Sequence, residues 1–121
     1  MPPRGRERFP KSARLRKRPE FLSLSRTGKK FHSPNFIVIS KSNERGESRL
    51  GITVSAKVGN ALVRNRIKRL IREFFRRRRY EWIPGSDIVV IARKSAATLS
   101  SVLMQKELEK SVQEQRRSHF L

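Results

Sequence analysis

Residues 57–73 read Lys57-Val58-Gly59-Asn60-Ala61-Leu62-Val63-Arg64-Asn65-Arg66-Ile67-Lys68-Arg69-Leu70-Ile71-Arg72-Glu73. Val63, Ile67, Leu70, Ile71 and then Phe74 recur at helical spacing and share one face. Arg64, Asn65, Lys68, Arg69, Arg72, Arg76 and Arg79 fall on the opposite arc. Arg66 lies at the border, where its stem can cover apolar surface while its head reaches water. Gly59-Asn60 supplies a turn and an N-cap, since an Asn side chain can accept from an orphan backbone N–H of the first helical turn. No proline interrupts the pattern before Pro84. The spacing predicts a helix with one buried face and one cationic face.

Nine of the seventeen residues from Val63 to Arg79 are Lys or Arg, against one acid, Glu73. A solvated helix face usually mixes signs, because opposite charges four residues apart stabilise a helix and like charges destabilise it. Arg64, Lys68, Arg72 and Arg76 instead form an all-cationic ladder. A fold that accepts such repulsion calls for a phosphate-bearing ligand to relieve it. Arginine dominance sharpens this, because the guanidinium fork grips two phosphate oxygens at once and stacks on exposed bases. Phosphate contacts fix register without reading sequence. Shape-selective binding with a steep salt dependence follows: neutralising about five to eight phosphates costs several powers of ten in affinity over a few-fold rise in salt.

Outward from this helix the chain is short and strongly basic. Its 121 residues carry 30 Lys and Arg against 10 Asp and Glu, a net charge of +20 that makes sense beside a polyanion. The length fits one domain. Residues 1–18 hold eight Lys and Arg with three prolines and read as a flexible basic arm. Residues 19–115 form the single domain, and 116–121 a frayed tail. Pro19, Glu20, Phe21, Leu22 and Leu24 suggest a short helix stopping at Thr27-Gly28. Near Lys30-Phe31-His32 a short strand begins. Phe36-Ile37-Val38-Ile39 reads as a second, followed by a polar turn over Ser42–Glu47. Leu50, Ile52 and Val54 alternate with Gly51, Thr53 and Ser55, the mark of a strand with one buried face. These last two strands are expected to pair as a hairpin. Ile88-Val89-Val90-Ile91-Ala92 is unbroken and apolar, as suits a central strand covered on both faces. Met104, Leu108 and Val112 stand one turn apart on a last helix beginning near Ser100 or Ser101.

Several chemistries are excluded as first readings. Metal-dependent nucleases cluster carboxylates around their cations, whereas this chain has one aspartate, Asp87, and scattered glutamates. Asp87 reads as a strand-end residue. His32 and His119 read as surface residues, neither with an evident partner for metal-free cleavage. No glycine-rich phosphate loop is present, and the absence of cysteine removes disulfides and thiolate metal sites. No stretch reaches the roughly 18–20 apolar residues of a membrane span. The polypeptide reads as non-catalytic, with no metal held by the protein alone, no membrane association, no obligate protein partner and a cytoplasmic location.

The Lys57–Glu73 run resembles the RNR signature of the bacterial ribonuclease P protein component. Arg49-Leu50-Gly51-Ile52-Thr53-Val54-Ser55 and Asp87-Ile88-Val89-Val90-Ile91-Ala92-Arg93-Lys94 resemble that family's flanking strands, and Arg14-Leu15 and Glu20-Phe21 its N-terminal segment. The resemblance covers roughly residues 11–115. It implies the accessory subunit of an endoribonuclease holoenzyme, in which a catalytic RNA with magnesium removes the 5′ leader of precursor tRNA. The protein would bind that RNA and hold the leader. By the same resemblance, Lys57, Arg64, Asn65, Arg66, Lys68, Arg69 and Arg72 face the catalytic RNA, and Arg76 joins them as the next rung of the cationic ladder. Arg14, Phe21, Phe36, Val38, Ile52 and Val54 are the candidates for leader contact, where single-stranded bases could stack on aromatic rings.

The implied fold is α+β, an α/β sandwich of the ribosomal-S5-domain-2-like type. Its order is αβββαβα, with a four-stranded sheet and an Arg-rich central helix. Two positions depart from the family pattern: Ser25 and Ile39 stand where a second and third aromatic are common, which implies weaker leader stacking. A ribosomal or other structural RNA-binding protein is the alternative, and the RNR run argues against it. A DNA-binding protein would want base-reading side chains on a recognition helix, where this one offers phosphate contacts.

Overall fold

The computed structural model describes residues 26–43, 48–78 and 85–120. Its elements are β1 (Lys29–His32), β2 (Phe36–Ser42), β3 (Arg49–Thr53), α1 (Ala61–Arg77), β4 (Ser86–Ala92), a 3₁₀ turn (Lys94–Thr98) and α2 (Ser101–Phe120). Residues 26 and 27 are helical, while the rest of the expected first helix, the arm over 1–18 and the turn at 44–47 lie outside the described residues.

One four-stranded sheet runs in the order β1-β2-β4-β3. β1 is antiparallel to β2, β2 antiparallel to β4, and β3 parallel to β4. The expected hairpin between β2 and β3 therefore does not form, because β4 lies between them. The physical reason is in β4 itself. Ile88, Val89 and Val90 are all buried, and buried backbone polar groups need partners on both edges of the strand. Placing β4 centrally satisfies both.

Polar residues fix the ends of these three strands. Asp87 accepts from Arg49 Nε at 2.9 Å and from Arg49 Nη2 at 2.7 Å, and from Asn43 Nδ2 at 2.6 Å. Gly85, at φ 69°, takes a left-handed conformation that glycine adopts without strain, and its carbonyl accepts from Asn43 N at 2.6 Å. The chain's one aspartate thus ties the end of β2 to the starts of β3 and β4.

Strand alternation sorts the side chains to two faces. Phe36, Val38, Leu50, Ile88, Val90 and Ala92 join the main core under the helices, whereas Ile39 and Val89 form a second buried cluster with Ile37 and Ile91. α1 packs over β3, α2 over β1 and β2, and the two helices touch. Asn60 Oδ1 accepts from Val63 N at 3.0 Å, the cap expected of it. A Cβ on Gly59 would lie 2.9 Å from Val63 Cγ1, so the close entry into the helix needs glycine there.

Ile67, Ile71, Phe74 and Phe75 are the buried residues of α1. Phe75, one residue past the expected stripe, packs edge-to-face on Phe74 with centroids 5.1 Å apart, and the Arg78 guanidinium sits 4.3 Å above the Phe74 ring. On α2, Met104, Leu108 and Val112 are buried as expected, and Ser100 Oγ accepts from Leu103 N at 3.2 Å. Glu107 turns to the β1–β2 turn, accepting from Asn35 N and Asn35 Nδ2 at 2.7 Å each and from Ser33 Oγ. α2 extends to Phe120, through most of the expected tail at 116–121; no Gly or Pro follows Ser101 to stop it.

Candidate nucleic-acid interface

α1 holds its cations on the side away from the core. Asn65, Arg66, Arg69 and Arg72 are exposed, as is Lys57 just before the helix, while Arg64 and Lys68 are half-buried. Among the described residues, none of these meets a carboxylate. Two are oriented by backbone carbonyls: Arg64 Nε donates to Gly59 O at 3.2 Å, and Arg66 Nη2 to Leu99 O at 2.9 Å. Arg66 therefore lies along the surface toward the start of α2, as its border position implies, with most of its guanidinium protons still available.

Arg76 is different. It pairs with Glu73, which also accepts from Arg77 Nε at 3.1 Å. The hydrogen bond from Arg76 comes first in holding the Glu73 carboxyl below the ordinary carboxylate value of 4.5, with Arg77 adding to it against a partial desolvation. A lowered folded pKa stabilises the fold above the ordinary value and loses that stabilisation as pH falls through the lowered one. Because the carboxylate is 40% exposed, water screens the pair to a few tenths of a kcal/mol at most. Wild type should therefore exceed Glu73→Gln slightly in thermal stability at neutral pH, with the gap closing below pH 4.5. A pH-independent gap would separate Glu73 from this ion pair. The variant also releases Arg77 from its carboxylate partner and removes a negative charge from the cationic helix, so its RNA affinity should rise a few-fold.

Of the expected leader contacts, Phe36 and Val38 are 0% exposed and Val54 is 6% exposed, all in the main core. They have no surface to offer a base, and Ile52 packs half-buried against the same core. The correction follows from the pleat: Phe36 and Val38 of β2 face the helices. The opposite face carries Ile37 and Ile91, half-buried, around Ile39 and Val89. Sequence alternation separates these faces only once the partner of β2 is known. Arg14, Phe21 and Ser25 lie outside the described residues.

A second basic pair adds to the surface without having stood out among the chain's many cations. Arg93 and Lys94 are exposed just after β4. Arg93 N donates to Asn35 O at 2.9 Å, and its Nη2 lies 3.2 Å from His32 Nδ1. The bond from Arg66 to Leu99 brings this segment to α1. Two adjacent cations ending an apolar strand are the available sequence signal. Among the described residues, no three His, Asp or Glu side chains converge to hold a metal, and no helix is long and apolar enough to cross a membrane.

The family model for ribonuclease P matches residues 9–116. The chain belongs to the ribonuclease P protein family. The ribonuclease P protein component of Citrifermentans bemidjiense is 46% identical over 100 residues, covering 83% of this chain and 85% of the relative. The Staphylococcus aureus ribonuclease P protein superposes with a TM-score of 0.77 at 37% identity, over 86% of this chain and 94% of that one. The Thermotoga maritima ribonuclease P protein gives 0.77 at 36% identity, over 84% and 96%. The ribonuclease P fold seen in these structures is the α/β sandwich expected here. As a ribonuclease P protein component, the chain is the protein subunit of an endoribonuclease holoenzyme that processes tRNA.

Proposed function

We propose that the solvent face of α1 docks the catalytic RNA of ribonuclease P through Lys57, Arg64, Asn65, Arg66, Lys68, Arg69 and Arg72. Arg76 contributes less, because Glu73 already engages it. The observation that carries this reading is the run of guanidiniums on one rigid helix with no carboxylate partner among the described residues. Such groups keep their charge-assisted hydrogen bonds for phosphate oxygens, and the buried Ile67, Ile71, Phe74 and Phe75 hold them in register.

The protein then supports the RNA fold and holds the 5′ leader of precursor tRNA, with Arg14 and Phe21 as leader contacts, in the cytoplasm. Magnesium is held by the RNA, and hydrolysis belongs to the RNA. The side chains of α1 supply charge compensation, which lowers the demand for metal ions that would otherwise screen the same phosphates.

Reconstitution tests this. Adding the protein to a bacterial ribonuclease P RNA should restore leader removal at magnesium concentrations where the RNA alone is inactive. Cleavage by the protein without RNA, or no gain at low magnesium, would reject the assignment.

A further inference from the structure

A second polar site lies away from α1, where the far end of α2 passes over the sheet. Lys29 on β1 stands opposite Ser40 on β2, and Ser42 stands opposite Ser86 on β4. At this end the sheet presents hydroxyls on the face that elsewhere presents Phe36, Val38, Ile88 and Val90. Gln115 of α2 closes over them, and with Thr27 and Lys41 they line a hollow of about 240 Å³.

Ser40, Ser86 and Gln115 are 8%, 4% and 5% exposed. Among the described residues, none of these three side chains has a hydrogen-bond partner. Buried polar groups are ordinarily satisfied, so three together facing one hollow mark a place that something else completes. Two lysines are among its lining residues. Lys29 and Lys41 are both exposed, and Lys41 Nζ donates one of its three protons to Thr27 Oγ1 at 2.8 Å. No carboxylate is among the described lining residues. Asp87, the register neighbour of Lys41, is turned instead to Arg49 and Asn43.

Hydroxyl and amide donors inside, cations at the rim and no acid among the described lining residues form the complement of phosphoryl oxygens. The geometry points to a phosphate-binding site built from Lys29, Ser40, Lys41, Ser86 and Gln115, separate from the cationic face of α1. Its ligand is a phosphate group, carried either by the free anion or by an RNA backbone. None of its residues belongs to the interface on α1, so it stands whether or not that interface docks the catalytic RNA.

The test follows backbone amides of the full chain by NMR while inorganic phosphate replaces chloride at constant ionic strength. Saturable shifts are expected at Ser40, Ser42, Ser86 and Gln115. In Lys29→Gln/Lys41→Gln, and separately in Gln115→Glu, the apparent affinity at these amides should fall at least tenfold while shifts on α1 are unchanged. Linear, non-saturating shifts, or equal saturation in both variants, would overturn the site. The source is then read from affinity for the catalytic RNA, with Gln105→Glu, an exposed position on the same helix, as the charge-matched control. A larger loss in Gln115→Glu than in Gln105→Glu assigns the site to an RNA phosphate. Equal losses, with the phosphate shifts retained, assign it to the free anion.

Discussion

Arg69→Ala/Arg72→Ala should bind ribonuclease P RNA about 10- to 100-fold more weakly near 0.15 M salt, since each exposed, screened guanidinium–phosphate contact is worth about 0.7–1.4 kcal/mol and two are removed. The dependence of log affinity on log salt should become shallower by roughly 1.5–2, the slope expected from two phosphate contacts. Stability should hardly move. Both side chains are exposed and pair with no other described residue, and substitutions at such positions stay within about 0.5 kcal/mol. This pair is a cleaner probe than Arg64 and Arg66, whose guanidiniums also hold Gly59 O and Leu99 O. An unchanged salt slope with weakened binding would place the effect in the fold instead of at phosphates. Loss of the helical circular-dichroism signal would do the same.

The largest stability loss is expected from Asp87→Ala. The Arg49 and Asp87 side chains are 10% and 13% exposed, and they meet through two parallel bonds. Removing the carboxylate takes away two charge-assisted bonds to Arg49 and one to Asn43 at the strand ends, and loss of one partner of a buried pair costs about 3–5 kcal/mol. Against the ~5–15 kcal/mol of a typical domain that is severe. Urea denaturation in phosphate buffer should show the midpoint falling with little change in slope. A loss under about 1 kcal/mol would mean that water reaches Arg49 and screens it. If Asp87 serves the fold alone, lost activity in this variant should track the unfolded fraction.

Much of this architecture is legible in the amino-acid sequence. The stripe of Val63, Ile67, Leu70, Ile71 and Phe74 predicts α1 and its orientation, because a helix repeats within a few residues and its faces can be read locally. The cap at Asn60 and the buried run of Met104, Leu108 and Val112 are local in the same sense. Strand pairing is not. Nothing near Phe36–Ile39 or Leu50–Val54 reveals that a strand more than thirty residues further on separates them, so proximity in sequence suggests a hairpin. That one error carries into the site: without the partner of β2, the exposed and buried sides of Phe36 and Val38 cannot be told apart. Glu107 is equally hidden, since its partners at Ser33 and Asn35 lie across the fold.

The central place of β4 also bears on how the chain comes to be folded. Ribosomes release residues from the N-terminus onward, at about 5–20 per second. When Arg77 has emerged, β2 and β3 exist only as strands with no common neighbour, and the apolar side of α1 has half a sheet to rest on. Assembly waits for Ser86–Ala92 to slide between them, after which α2 closes the layer. The cationic helix is therefore exposed to RNA for seconds before its scaffold is complete. A nascent subunit can meet its polyanion early, and a chain cut short of residue 86 has only the β1–β2 pair to offer it, with β3 left unpaired.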